Sequence, residues 1–377
     1  MFGRSVELFT IFGFEVSINI SWAFLAILIA VSLAQGFFPA TYKGWPAATY
    51  WGMAAAGVVG VFFSIVLHEL SHSLAARAMG MEMKGITLFL FGGIAHMQQE
   101  PSSAKGELIM AIAGPIISLV LAGILLGIVS LLSAPEESAT PTLAVLQYLG
   151  WLNLILAIFN MIPAFPLDGG RALRAILWSI KDDLRWATKW ASRAGGLFGL
   201  ILIAGGILNA LSGAFVQGLW WVLIGMFIRA AAHGGYQQME MARLMRGVRA
   251  EDVMLACPDA ISKDMTVQDL VDERVYEFQQ TEFPVCDDGN LIGSVGVRQI
   301  KEVPRSDWPN TRVGDIMVPA EEAQTISPDD DALDAVRRLQ TEDIQALIVA
   351  KDRKPLGVLS RADVMKLLNL KMDLEAA

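Results

Sequence analysis

Two histidines and a glutamate stand inside a long apolar stretch of the sequence. His68, Glu69 and His72 form the pattern H-E-x-x-H within residues 61–76, which are otherwise almost entirely apolar or small. Because the histidines are four residues apart, both imidazoles project from the same face of a helix. In this pattern the two histidines bind zinc and the glutamate is the general base. The sequence therefore predicts a zinc site built for hydrolysis.

The setting of these residues strengthens the prediction. An ionisable residue inside a membrane span costs about 2.5–3.5 kcal/mol on insertion scales, and such residues are usually functional or paired. The alternative is a pair of buried histidines that bond to the backbone or to Ser71 and Ser73.

A catalytic zinc needs three protein ligands and one open position. Glu69 projects about 100° away from the histidines around the helix, so the third ligand must come from another segment. The candidate is Asp168, which follows Pro163 and Pro166 and precedes Gly169-Gly170. Such a segment cannot remain a regular helix, and irregular backbone at membrane depth must be buried in protein or line a watery cavity. The alternative is a cap or turn residue paired with Arg171.

The amino-acid composition differs between the two parts of the chain. Of 377 residues, 54% are hydrophobic and 18% are charged, whereas soluble domains have about 45–50% and about 25%. Residues 1–236 carry 12 basic and 11 acidic residues, and residues 237–377 carry 17 and 27. This predicts a membrane domain followed by a water-soluble domain. No basic run is dense enough to indicate a nucleic-acid partner.

Six apolar stretches are long enough to span a bilayer, at residues 18–34, 51–78, 107–133, 142–161, 195–212 and 216–232. Ten basic residues flank one set of span ends: Arg4, Arg77, Lys84, Lys105, Arg171, Arg174, Lys181, Arg185, Lys189 and Arg193. Only Lys43 lies in the opposite loops. Basic loops stay in the cytoplasm, so both termini are expected there.

Two segments have the pattern of strands. Apolar residues alternate with polar ones from Phe14 to Ile20, which predicts a strand before the first span. Residues 86–96 are apolar, β-prone and broken by Gly92-Gly93. We interpret them as a short hairpin that dips into the membrane, the alternative being an ordinary cytoplasmic loop.

The combined motifs resemble the site-2 protease family of intramembrane zinc metalloproteases. They are the H-E-x-x-H pattern, Phe91-Gly-Gly-Ile-Ala, Ala113-Gly114-Pro115 and a segment from Asn160 to Gly170 that reads N-x-x-P-x-x-P-L-D-G-G. The resemblance covers residues 1–232 and fits the six-span subgroup with a cytoplasmic regulatory domain. It implies one Zn²⁺ per chain with His68, His72 and Asp168 as ligands, and Glu69 as the catalytic residue.

Further roles follow from the chemistry of cleaving a transmembrane helix. Asn160 is close in sequence to Asp168 and is a candidate to bond the substrate carbonyl or the oxyanion; the alternative is a structural amide. A helix hides its peptide bonds, so the substrate must unwind. The predicted strand and the hairpin at Gly92 and Gly93 offer a sheet edge to which an extended substrate can add.

Residues 247–370 contain an internal repeat of about 64 residues. Asp252-Val-Met254 recurs as Asp315-Ile-Met317, and Gly293 aligns with Gly357. The repeat resembles a tandem pair of cystathionine-β-synthase (CBS) domains, with a linker at 233–246, repeats at 247–310 and 311–370, and a tail at 371–377. The resemblance implies a regulatory module that binds adenine nucleotides, ATP above all.

The two repeats differ in the residues that such a nucleotide would contact. The second repeat has Ser360 and Asp363, which match the phosphate- and ribose-contacting pattern, whereas the first has Gly296 and Gln299 in their place. At most one complete nucleotide site is expected. The alternative is a purely structural dimerisation module.

The predicted fold is therefore an α-helical polytopic membrane protein with six transmembrane helices and small membrane-associated β elements, followed by a soluble α/β tandem CBS domain. The predicted activity is zinc-dependent intramembrane proteolysis in a prokaryotic plasma membrane, with homodimers formed through the CBS domains. The expected partners are the lipid bilayer and a transmembrane substrate: an anti-sigma factor, a membrane-tethered regulator or a remnant signal peptide. The alternatives are a CBS-regulated transporter and a non-catalytic zinc-binding scaffold.

Overall fold

The computed structural model describes residues 5–81, 83–89, 92–97, 101, 103–132, 140–256, 261–276, 280–320, 323–341 and 344–376. The chain forms two compact units, Met1–Gln237 and Gln238–Ala377. Each unit is described by itself below.

The first unit combines one small sheet with long helices. In chain order its elements are β1 (Ser5–Ile11), β2 (Phe14–Asn19), α1 (Ile20–Ser32), α2 (Phe38–Thr41), α3 (Ala47–Ala78), β3 (Met83–Phe89), β4 (Gly92–Met97), α4 (Ala104–Leu132), α5 (Pro141–Asn160), α6 (Asp168–Lys181), α7 (Leu184–Leu211) and α8 (Phe215–Met245). A π-helical turn, Leu33–Phe37, joins α1 to α2.

Among the described residues, six helical segments are long and apolar enough to cross a membrane: Ile20–Thr41, Ala47–Ala78, Ala104–Leu132, Pro141–Asn160, Leu184–Leu211 and Phe215–Met245. Each overlaps one predicted span, so the prediction of a six-span membrane protein is confirmed. Their outward faces expose large apolar side chains, such as Leu131 and Leu211. Such faces suit a hydrocarbon solvent. The sixth helix continues beyond its predicted end at residue 232 as far as Met245.

The sheet has the strand order β1-β2-β3-β4. The predicted strand at residues 14–20 is confirmed as β2, and β1 pairs with it antiparallel although the sequence analysis did not predict β1. The predicted hairpin is also present, as β3 and β4. However, Gly92 and Gly93 begin β4 and pair with Phe89 and Leu88, so the expected break lies before them. Residues 90 and 91, which join the strands, lie outside the described residues.

The α3 helix lies between this sheet and α4. Its residues Val66 and Leu70 belong to a core with Val16, Ile86 and Leu88 of the sheet. Residues two positions further along a helix point about 200° away. His68 and His72 therefore face away from the sheet, toward α4.

The second unit contains two four-stranded sheets. Its elements are α9 (Ala250–Val253), β5 (Leu255–Ala256), β6 (Ile261–Ser262), α10 (Val267–Leu270), β7 (Glu282–Asp287), β8 (Asn290–Gly296), α11 (Val297–Glu302), α12 (Val313–Ile316), β9 (Val318–Pro319), β10 (Thr325–Ile326), α13 (Ala332–Thr341), β11 (Ala346–Lys351), β12 (Lys354–Ser360) and α14 (Arg361–Ala376). The sheet orders are β6-β7-β8-β9 and β10-β11-β12-β5.

The two repeats exchange short strands. The β9 strand belongs to the second repeat but pairs with β8 of the first, and β5 belongs to the first repeat but pairs with β12 of the second. Each of the repeated methionines likewise contacts the other repeat: Met254 contacts Gly357, and Met317 contacts Gly293. A side chain at either glycine would lie about 2.5 Å from a carbonyl of the exchanged strand. The repeated Met and Gly residues are thus the contacts that fix the exchange.

Candidate metal centre

Three side-chain atoms converge where α3 meets α6. His68 Nε2 and His72 Nε2 lie 3.1 Å and 3.2 Å from Asp168 Oδ2, and 3.2 Å from each other. A tetrahedral zinc with ligands at 2.0–2.1 Å holds them about 3.3–3.4 Å apart. The three residues named from the sequence therefore come together in a triangle that fits this ion with a small outward adjustment.

Each imidazole is oriented by a bond at its other nitrogen. His72 Nδ1 donates to the Met110 carbonyl at 2.6 Å, and His68 Nδ1 lies 2.9 Å from Ser118 Oγ. A carbonyl only accepts, so His72 carries its proton on Nδ1, and its Nε2 lone pair faces the triangle. Such partners are typical of metal-binding histidines. The sequence analysis missed both, although they flank its Ala113-Gly114-Pro115 motif on α4.

The alternative of histidines bonded to the backbone or to Ser71 and Ser73 is met in its backbone part by the His72 bond to the Met110 carbonyl, but not by the two serines. Ser71 Oγ donates to the His68 carbonyl at 2.6 Å, and Ser73 Oγ donates to the Glu69 carbonyl at 3.0 Å. Both hydroxyls therefore bond back to their own helix, a common arrangement for serine inside a helix.

Asp168 is presented by the break between α5 and α6. After α5 ends at Asn160, an irregular segment leads to Asp168, the first residue of α6. Gly169 and Gly170 let this segment fold back, since a side chain on either would collide with the backbone of residues 161–165. The helix break that the prolines and glycines predict thus aims the carboxylate at the two imidazoles.

Glu69 lies beside the triangle without being part of it. Its carboxylate is in contact with the backbone of β4, because a side chain at Gly93 would come within 2.8 Å of Oε1. This close approach explains why the second residue of β4 is glycine. Gly93 and Glu69 are therefore brought together, and Gly92 is the next residue of the same strand.

Asn160 is the last residue of α5 and is half-buried. Its Nδ2 donates to the Leu156 carbonyl one turn earlier, at 3.0 Å. One amide hydrogen is thus used on its own helix, as the structural alternative predicts.

Gly114 of α4 lies against both imidazoles. A side chain at this position would lie 2.6 Å from His68 Nε2 and closer still to His72 Nε2. Glycine is therefore required if both nitrogens are to remain available to a metal.

In the second unit, Ser360 and Asp363 contact each other at the start of α14. The Ser360 amide donates to Asp363 Oδ2 at 2.9 Å, and the Asp363 amide donates to Ser360 Oγ at 3.3 Å. This reciprocal pair is a capping box. The first repeat has the same arrangement in part, since the Gly296 amide donates to Gln299 Oε1 at 3.1 Å. The Ser-x-x-Asp pattern therefore has a structural role besides the predicted nucleotide contact.

The first repeat places a carboxylate where the second has the Ser360 hydroxyl. Gly296 pairs with Glu282 as Ser360 pairs with Ala346, and a side chain at Gly296 would collide with Glu282 Oε2. Burial raises the pKa of the Glu282 carboxyl, while a hydrogen bond from Ser294 opposes the shift. An acidic group here disfavours phosphate.

A cleft of about 330 Å³ lies elsewhere in this unit, lined by Leu291, Ala320, Ser327, Asp330 and Arg353 among others. The residue of β11 that lines the cleft is Ala350. Ser360 pairs with Ala346, which lies four residues before Ala350 on the same strand. Four strand residues span about 13 Å. Ser360 and Asp363 do not line this cleft.

Comparisons with known proteins agree with both parts of the chain. The profile of peptidase family M50 matches residues 56–142 and 125–203, and the CBS domain profile matches residues 313–370. The chain is 34% identical over 370 residues to zinc metalloprotease Rip3 of Mycobacterium tuberculosis, which covers 97% of this chain and 93% of that protein. It is 30% identical over 375 residues to zinc metalloprotease MJ0392 of Methanocaldococcus jannaschii, covering 98% and 99%. A solved site-2 protease from the same archaeon is 30% identical, with a TM-score of 0.43 over 61% of this chain and 94% of that chain.

The Gly114 contact generates a prediction. Gly114→Ala should abolish stoichiometric metal binding, because the new methyl group occupies the space in front of both Nε2 atoms. Metal analysis of purified protein measures this. Gly123→Ala is the matched control on the same helix, since nothing lies within 4 Å of its added carbon. Equal metal contents in the two variants would contradict the placement of the site.

Proposed function

Because the chain belongs to peptidase family M50, the site-2 protease family of zinc metalloproteases, we propose that it cleaves transmembrane substrates with one zinc held by His68, His72 and Asp168. The single observation that carries this proposal is the buried triangle of ligand atoms, about 3.1–3.2 Å on each side. A bound zinc supplies Lewis-acid chemistry there, polarising the scissile carbonyl and acidifying water.

Glu69 is the proton carrier in this proposal. Its carboxylate is next to the ligand triangle but outside it, so it is available to take a proton from the attacking water and pass it to the leaving amine. Asn160 has a second amide hydrogen besides the one that bonds Leu156. We assign that hydrogen to the substrate carbonyl or the developing oxyanion.

The substrate adds as a strand to the free edge of β4. This strand is at one end of the sheet, and its Gly93 contacts Glu69. An extended peptide paired with β4 would satisfy its freed backbone groups and would pass beside the proton carrier. The other free edge, β1, is three strands away. Gly92 and Gly93 thus contribute backbone to the proposed substrate site.

The membrane setting is proposed from charge and from the family. The bias of basic residues toward one set of span ends assigns both termini to the cytoplasm, and the resemblance to the site-2 protease family assigns the multi-pass chain to a prokaryotic plasma membrane. Its substrates are then single-span membrane proteins: anti-sigma factors, membrane-tethered regulators or remnant signal peptides. A transporter would need ionisable residues spread along several spans to carry ions, whereas the buried ones in the first unit lie at the triangle or are paired, as Glu107 is with Arg174.

The second unit is assigned to regulation and assembly. We keep residues 247–310 and 311–370 as its two repeats, and we assign an adenine nucleotide, ATP above all, to the half-buried Ser360 and Asp363. The Glu282 carboxylate beside Gly296 argues against a second anion site in the first repeat. Homodimers are assigned to this unit because α14 exposes Leu370 and Leu374.

The catalytic proposal is tested by Glu69→Gln. This variant should keep about one zinc per chain but lose about 10²- to 10⁴-fold in turnover, the usual contribution of a general acid–base group. Cleavage of a single-span model substrate in liposomes, with metal analysis of the same sample, measures both. His72→Ala is the companion variant and should lose the zinc as well. A Glu69→Gln enzyme that cleaves like the wild type would remove the proton-carrier role.

Strand addition is tested by disulfide crosslinking of trapped substrate. With Cys at Ile94 and Glu69→Gln to prevent cleavage, single cysteines along the substrate should crosslink at every second position, because side chains alternate across a strand. Cys at Thr10, on the opposite edge strand β1, is the control and should capture little. An unpatterned distribution, or equal capture by Thr10, would rule out pairing with β4.

Nucleotide binding is tested by calorimetry on the full-length protein with millimolar ATP. Asp363→Asn keeps an oxygen for the helix cap but removes the charge, so it should weaken binding; Gln299→Ala alters the matching cap of the first repeat and should not. Cleavage with and without ATP tests coupling separately, because a ligand shifts activity only if it binds two states differently. If ATP does not bind, the structural-module alternative is correct.

A further inference from the structure

A buried ion pair joins the two helices that flank the metal centre. Glu107, in the first turn of α4, is fully buried, and Arg174 of α6 is 6% exposed. Arg174 Nε donates to Glu107 Oε1 at 2.7 Å, and Nη2 donates to the same oxygen. Arg174 was counted in the sequence among the basic residues that flank spans, but the structure places it inside the protein.

Stability alone does not account for such a pair. Removing two charges from water is costly, and a buried ion pair can often be replaced by apolar residues without loss of stability. The other oxygen, Glu107 Oε2, has no hydrogen-bond partner among the described residues. The pair therefore needs a reason beyond holding the helices together.

Glu107 is connected through α4 to the partners of both histidines. It lies one turn before Met110, whose carbonyl orients His72, and α4 also carries Ser118, which contacts His68. A shift of α4 would thus turn both imidazoles.

Arg174 is connected through α6 and Phe165 to Asp168. It lies on the helix that begins with Asp168, and its guanidinium lies 5.4 Å from the centroid of the Phe165 ring. Phe165 belongs to the irregular segment just before Asp168, and its ring contacts Gly235 of α8. Arg174 therefore holds the residues on both sides of the third ligand.

We propose that Glu107 and Arg174 are positioning residues, which set the separation between Asp168 Oδ2 and the two histidine Nε2 atoms and thereby the affinity and geometry of the metal site. Neither residue is among the ligands or contacts the reacting atoms. Arginine is required because two of its nitrogens meet one oxygen while its guanidinium also lies over the Phe165 ring, which lysine cannot reproduce. This proposal rests on the zinc site proposed above.

The test measures metal binding rather than cleavage, in full-length protein in detergent. The zinc dissociation constant is determined by chelator competition, and the Co²⁺ absorption spectrum reports the ligand geometry. The paired variant Glu107→Met/Arg174→Met removes both charges, and its melting temperature is measured to establish that it folds. It should bind zinc about 10- to 100-fold more weakly, as is usual when an outer partner of a metal site is lost, and its Co²⁺ spectrum should change.

Arg174→Lys is the second variant, which keeps the charge and decides the matter if the paired variant does not fold. It should also weaken zinc binding by about tenfold or more. Ser179→Ala, at an exposed position of the same helix, is the control and should leave both readouts unchanged.

Failure of the positioning role can be distinguished from failure of the proposed metal site. If wild-type protein binds zinc and Asp168→Ala does not, but a folded paired variant or Arg174→Lys has an unchanged dissociation constant and Co²⁺ spectrum, the positioning role is overturned. If zinc binding does not depend on Asp168 in the first place, the proposed metal site is wrong instead.

Discussion

A polar atom that is placed inside an apolar helix bundle is costly unless it finds a partner there, because hydrocarbon offers none. The metal centre follows from this constraint. Each imidazole has two nitrogens, and when one faces the ligand triangle the other needs a partner on the opposite side. The Met110 carbonyl and the Ser118 hydroxyl of α4 are those partners. The packing of α4 against α3 is therefore part of the chemistry, and Gly114 permits it at the point of closest approach.

The same constraint explains which features could be read from the sequence. Six spans and the H-E-x-x-H pattern were predictable because composition and helical spacing are local signals. Asp168 was predictable as the candidate third ligand because two prolines and two glycines cannot stay helical at membrane depth. The hydrogen-bond partners that the backbone supplies to the imidazoles were not predictable, since the Met110 carbonyl has no signature in the sequence. Gly92 and Gly93 were taken as a break within the hairpin, and the contact with Glu69 that explains the glycine at position 93 requires the folded sheet.

The second unit shows how one pattern can have two physical meanings. Ser360 and Asp363 were interpreted as nucleotide contacts, and the same two residues form the cap of α14. Hydroxyl and carboxylate groups three residues apart satisfy either need, so the sequence cannot separate them. In the first repeat the distinction is clearer, because Gly296 lies against the Glu282 carboxylate. The exchange of β5 and β9 was also beyond the sequence analysis, since pairing between strands of different repeats leaves only the repeated Met and Gly as a trace.

That exchange has a consequence for biosynthesis. The β5 strand ends at Ala256, and its partner β12 ends at Ser360. At about 5–20 residues per second, the ribosome makes the partner roughly 5–20 s after β5, once the six hydrophobic helices have already been delivered to the membrane. Neither sheet can be completed from its own repeat: the β6-β7-β8-β9 sheet needs the chain as far as Pro319, and the sheet that contains β5 needs it as far as Ser360. The water-soluble part therefore matures last, and a nascent chain arrested between the repeats would carry an unfinished sheet on an already inserted membrane part.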